Sequence, residues 1–196
     1  MRYMNYQFFF STAVEMLINP SKAWETIRAG KTDSKSMNIG LLLPIIVLIS
    51  ISTFGGSAIF VNTKLTFSFS ILTAIRCFID LYFTIFLTSL AINEAAGRMN
   101  LQKDFNISFS LIVFSSLPFF ICQFISRFFE SFLFINIMAL FGLNIFWIGA
   151  GVMMNAPRNK KIWLMAVAFV AMMLVYFITD SILDKIIDKV YYSLFA

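Results

Sequence analysis

Arg76 and Asp80 stand four residues apart inside an apolar run from about Ser70 to Asn93. Positions i and i+4 share a face of a helix, so a guanidinium and a carboxylate would meet there. Charged groups within a hydrocarbon layer are costly and by default mark functional sites. Counted along the run, Asp80 lies close to its centre, where Arg76 would compensate its charge. The pair therefore has two readings. One is an ion, proton or headgroup site in a wet cavity; the other is a structural ion pair facing the inside of a helix bundle. Gln123, Asn144 and Asp180 are further polar residues inside apolar runs. Taken singly, each suits an interhelical hydrogen bond or a boundary position. If Arg76, Asp80, Gln123 and Asp180 converge, they form a polar pocket open to one side of a membrane.

Other chemistries find little support. The chain has no histidine, which removes the commonest general base and the commonest metal ligand together. Cys77 and Cys122 both lie in apolar runs and read as small buried hydrophobes, not as a disulfide framework. No glycine loop for phosphates, metal-ligand spacing or nucleophile–base pair is present. The expectation is a protein that is not an enzyme and needs neither cofactor nor metal. Net charge is +5, but Lys and Arg are scattered singly between apolar runs, so nucleic acid is not an expected partner.

The elements that must position these residues follow from composition. Of 196 residues, 60% are hydrophobic and only 13% charged; a soluble domain keeps about 25% charged to cover its surface. A span needs about 20 apolar residues to cross roughly 30 Å of hydrocarbon. Five windows qualify: about Ile39–Val61, Ser70–Asn93, Ile107–Phe128, Ser131–Met154 and Ile162–Leu183. The runs are continuous, without the alternation of barrel strands, so helices are expected. The fold class is an all-α, polytopic membrane protein: residues 38–196 form a five-helix transmembrane domain, preceded by an amphipathic segment, 1–37. Ser52 with Gly56, and Gly142 with Gly149, are small residues placed for close helix packing. Pro44 and Pro118 should kink their helices. The start of the chain lacks a clean cleavage site after its apolar stretch, and it is expected to stay in the mature protein.

Basic residues orient the bundle. Arg2, Lys22, Arg28, Lys31, Lys35, Arg98, Lys103, Arg158, Lys160 and Lys161 fall on one side of a five-span topology. Only Lys64, Arg127, Lys185 and Lys189 fall on the other. That places the N-terminus inside and the C-terminus outside, as in a bacterial cytoplasmic membrane. Asn19 and Pro20 open a helix by capping and by a preset φ, and Gly30 closes it. Ala23, Trp24 and Ile27 share one face of this helix, opposite charged neighbours. Pro20, Trp24 and Ile27 are expected to anchor it in the headgroup layer. At the other end, Ile182, Leu183, Ile186, Ile187, Val190, Tyr191 and Leu194 recur at helical spacing. This stripe predicts an amphipathic extension at the outer surface or against a partner subunit. Membrane lipids, and a protein partner or second copy, are the expected partners.

Three stretches, in order, resemble the Yip-domain family, the Ypt/Rab-interacting membrane proteins and their bacterial relatives. Leu17, Pro20, Trp24 and Ile27 match the Leu-x-x-Pro-x-x-x-Trp-x-x-Ile opening of the bacterial branch. Gly97 closes the second span before a short polar loop and Ser108-Phe109. Phe114-Ser115-Ser116-Leu117-Pro118 is similar to Tyr-Ser-Ser-Leu-Pro in the third span, with Phe114 in place of Tyr. The resemblance implies five membrane helices and a cytoplasmic N-terminus. It further implies that eukaryotic relatives bind prenylated small GTPases in vesicle trafficking. Their Asp-Leu-Tyr-Gly-Pro motif precedes the first span, whereas Asp80-Leu81-Tyr82 here lies in the second and lacks Gly-Pro.

Overall fold

The computed structural model describes residues 6–30, 33–60 and 66–195. Arg2, Lys31 and Lys64 of the charge pattern lie outside them, as do the side chains of Val190, Tyr191 and Leu194. The elements are α1 (Tyr6–Ile18), α2 (Pro20–Gly30), α3 (Ser34–Phe60), α4 (Thr66–Arg98), α5 (Phe105–Ser115), α6 (Leu117–Phe128), a 3-10 segment (Glu130–Leu140), α7 (Phe141–Met154) and α8 (Arg158–Phe195). No strand occurs among the described residues. Four helices are long and apolar enough to cross a membrane, and α5 with α6 makes a fifth if the bent pair is one span.

Side-chain contacts show that this pair runs the full length of α3. At one end the Ser34 N–H donates to Asn106 Oδ1 (3.0 Å); further along, Ser52 Oγ donates to the Phe124 carbonyl (2.6 Å). At the far end Gly56 lies against the backbone carbonyls of Arg127 and Phe128. The separation in sequence is 72 residues at both hydrogen bonds, so α3 and the α5–α6 pair are parallel and in step. Two of the four small residues expected to mediate close packing, Ser52 and Gly56, are used here.

The two prolines act differently. Pro118 sits in the first turn of α6, and the axis bends by 45° between α5 and α6. Pro44 leaves α3 unbroken because a π-turn over Asn38–Leu42 precedes it, with the Leu43 N–H reaching back to the Asn38 carbonyl. That wider turn absorbs the missing donor and the ring clash a proline brings. Asn100 and Asn155 take left-handed φ (51° and 48°) and end α4 and α7 on the same face. Asparagine tolerates that conformation, and the following N–H closes each end: Leu101 to the Ala96 carbonyl (2.9 Å) and Ala156 to Ala150 (3.2 Å).

Helix α1 has no counterpart among the expected elements. Its 13 residues are too few to span, yet it is apolar on two faces. Phe9, Ala13 and Met16 are buried, while Phe10, Val14 and Ile18 point outward at one-turn intervals. Phe9 seats on Gly40 of the π-turn, where a Cβ would lie 2.7 Å from its ring. Glu15 bridges to Lys22 (2.8 Å) across the α1–α2 corner, and this hydrogen-bonded carboxylate raises the Lys22 pKa. The last helix, α8, is 38 residues long, about 57 Å at 1.5 Å per residue, and so outruns the hydrocarbon layer. Only 11% of its most apolar window is buried, against 50% for α3.

Candidate functional site

Arg76 and Asp80 share a face of α4, but they take separate partners from α8. Arg76 donates through Nη2 and Nε to Asp180 Oδ1 (2.7 and 3.2 Å) and through Nη1 to Asp184 Oδ1 (2.5 Å). Asp80, 1% exposed, accepts a hydrogen bond from the Thr179 hydroxyl. The guanidinium thus clamps two helices through carboxylates one turn apart on α8. Asp184, Thr179 and Tyr176 complete this seam and were not singled out in the sequence. Asp184 carried the clearest signal, since it repeats Asp180 at i+4.

Along α8, Asp180 stands about 30 Å from the cationic start at Arg158, Lys160 and Lys161, and Asp80 lies four residues, about 6 Å, along α4 from Arg76. Gln123 joins the seam indirectly: it accepts from Arg127 Nε (3.1 Å), and Arg127 Nη2 donates to the Tyr176 hydroxyl (3.0 Å). Arg76, Asp80, Gln123 and Asp180 are all brought to one end of the bundle. Asn144 is not; it lies on the outward face of α7. Among the described residues no cluster of three metal-ligating acidic or thiol side chains occurs.

The side of the bundle against which α2 packs is organised around Trp24. Its side chain is 0% exposed and Ile27 is 1% exposed. The expected headgroup anchors are therefore buried in protein, and this corrects the interfacial assignment of Trp24 and Ile27. The indole Nε1 donates to the Ile145 carbonyl of α7 (3.0 Å), and the ring meets Phe114 edge-to-face with centroids 5.9 Å apart. Gly149 makes room: a Cβ there would lie 2.5 Å from Trp24 Cε2 and 2.6 Å from Leu111 Cδ1. Burying an indole this way satisfies its N–H and keeps its apolar body dry. Pro20, half-buried, starts α2, and α2's outward face carries Ser21, Lys22, Glu25 and Arg28. The same junction contains Phe114-Ser115-Ser116-Leu117-Pro118, and Gly142 is pressed onto the Ser115 carbonyl. The first and last of the three stretches that carried the family resemblance thus touch each other through Trp24 and Phe114.

Beside this junction lies a cleft of about 510 Å³. Ile27, Ile107 and Met153 give it an apolar wall, and Arg28, Asp33, Gln102, Asp104, Asn106 and Ser110 supply polar groups of both charges. Several are held in place locally. Asp104 caps α5 by accepting from the Asn106 N–H (2.8 Å), and Ser110 Oγ donates to the Asn106 carbonyl (2.7 Å). The cleft joins residues from α2, the α4–α5 turn, α5 and the end of α7, so these segments share one face of the bundle.

Such an arrangement defines a multi-pass, all-helical membrane protein in which the first and last of the three motif stretches share one structural core. A family model for the Yip1 domain matches residues 14–179. The chain belongs to the Yip1-domain family. No curated protein matches it, and no solved structure does. Within it, Asp80 and Leu81 of the Asp-Leu-Tyr triplet are buried inside α4.

Proposed function

We propose that this protein is a non-enzymatic membrane organiser that holds the polar headgroup of a lipid in the cleft at its α2 end. The cleft carries this reading: it joins an apolar wall to one cation, Arg28, and two carboxylates, Asp33 and Asp104. That combination suits a zwitterionic phospholipid, whose phosphate and amine need opposite charges side by side. The gathering of basic residues on this face supports a cytoplasmic position for α2 in a bacterial inner membrane.

A chain lacking residues 1–30 is a poor test, because loss of Trp24 opens the bundle. Point variants on the cleft wall are cleaner. Native mass spectrometry of protein released from phosphatidylethanolamine/phosphatidylglycerol bilayers should show retained phosphatidylethanolamine in the wild type. Retention should fall severalfold in Arg28→Glu with melting unchanged. Equal retention by Arg28→Glu and by the cleft-filling Gln102→Trp would overturn the proposal. Transport through Arg76 and Asp80 is the weaker reading, since Arg76 is engaged by Asp180 and Asp184 of α8 and Asp80 accepts from the Thr179 hydroxyl.

A further inference from the structure

We infer that Asn144 is the contact point of a parallel homodimer formed through the outward face of α7. Asn144 is the central residue of the span Phe134–Met154, about 15 Å from Met154 at 1.5 Å per residue, and so at the middle of the hydrocarbon layer. Gly142, Ile145, Phe146, Gly149 and Ala150 turn the other face of α7 into the bundle. At 100° per residue, Asn144 points almost directly away from them. Its side chain is exposed and takes no hydrogen bond from the described residues. Ile137 and Leu140, 71% and 56% exposed, flank it along the same face.

Hydrocarbon offers an exposed amide no partner, and polar side chains in this position join helices. The chemistry of the amide selects the partner. A carboxamide is both donor and acceptor, so two copies related by a two-fold axis along the membrane normal can pair reciprocally. Both copies cross the membrane in the same sense, so that axis brings Asn144 to its own counterpart at equal depth. Another protein would need its own polar group at that depth. The flanking isoleucine and leucine supply apolar packing around the amides.

Single-molecule photobleaching of the full chain in liposomes, across a series of protein-to-lipid ratios, measures the equilibrium. The wild type should pass from monomer to dimer as density rises. Asn144→Leu should weaken association about tenfold, the loss of roughly 1.4 kcal/mol across the pair. Thermal melting of the monomer should be unchanged, because leucine suits lipid. Independently, Asn144→Cys should form a disulfide-linked dimer under mild oxidation, while Trp163→Cys on α8 should not. A wild type monomeric at every density overturns the inference. So does a dimer that Asn144→Leu leaves intact, or cross-linking equal at both cysteines.

Discussion

Gly149 and Trp24 should behave as one energetic unit, and a double-mutant cycle measures this. A Cβ on residue 149 would stand 2.5 and 2.6 Å from Trp24 Cε2 and Cζ2 and 2.6 Å from Leu111 Cδ1. Carbon atoms prefer about 3.5–4.0 Å, so Gly149→Ala forces a shift of about 1 Å in a packed interior. Overpacking of this kind costs about 1–3 kcal/mol. Trp24 cannot retreat freely, since pivoting stretches the 3.0 Å bond to Ile145, worth about 1 kcal/mol. Trp24→Phe alone loses that bond and leaves a small void, together about 1–3 kcal/mol.

In the double variant the smaller ring withdraws two of the three overlapping atoms. Gly149→Ala should then cost less than half as much, a coupling of about 1–2 kcal/mol opposing the two single losses. Reversible unfolding of the four proteins in bicelles, by steric trapping or SDS titration, gives the terms. Costs adding to within about 0.5 kcal/mol would refute the junction. Additivity is also what a Trp24 lying in the headgroup layer requires, because no contact with Gly149 would exist.

Further expectations concern the seams that hold the helices. Gly56→Ala should be more harmful than Gly149→Ala, at about 3 kcal/mol, because its Cβ would meet the backbone of Arg127 and Phe128, which cannot rotate aside; melting temperatures in lipid would show the order. Arg76→Gln leaves Asp180 and Asp184 without their shared cation. Arg76 is 26% exposed and its partners 39% and 57%, so the global cost should stay at about 1 kcal/mol. The C-terminal half of α8 should nonetheless exchange amide hydrogens faster. Asp80→Asn keeps an acceptor for Thr179 and should leave proteoliposomes as impermeable to protons as the wild type. A wild-type flux abolished by this change would restore the transport reading.

The spans were legible because hydrocarbon permits so few solutions: long apolar runs must be helices, and Lys and Arg must sit at their ends. Pro118 also read true, since a proline in a continuous run has few outcomes. Pro44 did not, because whether a ring bends a helix depends on the preceding turn, and a π-turn leaves no composition signal. Helix α1 was missed for a related reason: its 13 residues are too few to span, and apolar side chains on two faces leave no single buried stripe to read. Trp24 shows the limit of amphipathicity as a guide. A helix with one apolar face packs equally well on lipid or on protein, and only Gly149 and the Ile145 carbonyl decide between them. These lie about 120 residues away, where spacing cannot place them. Arg76 and Asp80 met the same limit, for their partners lie on α8.

The position of α8 explains why such costly residues sit on α4. In lipid there is no hydrophobic drive between helices, since acyl chains are as apolar as leucine. Association rests on close packing and polar contacts. Helix α3 packs closely through Ser52 and Gly56, but α8 presents few small residues and buries only 11% of its span window. It needs polar fastening, and it has it at both ends. Arg76 grips Asp180 and Asp184 in the C-terminal half of α8. At the other, the Lys161 ammonium lies 5.5 Å over the Trp147 ring of α7, a contact worth about 0.5–1 kcal/mol. A cation inside an apolar bundle is costly unless it is compensated, and the two carboxylates of α8 compensate Arg76. Of the two charged residues first singled out, Arg76 thus holds α8 by ion pairs and Asp80 by the Thr179 hydroxyl. The Trp24 junction and its cleft, which hold the first and last of the three motif stretches, are then the place to look for what this membrane protein binds.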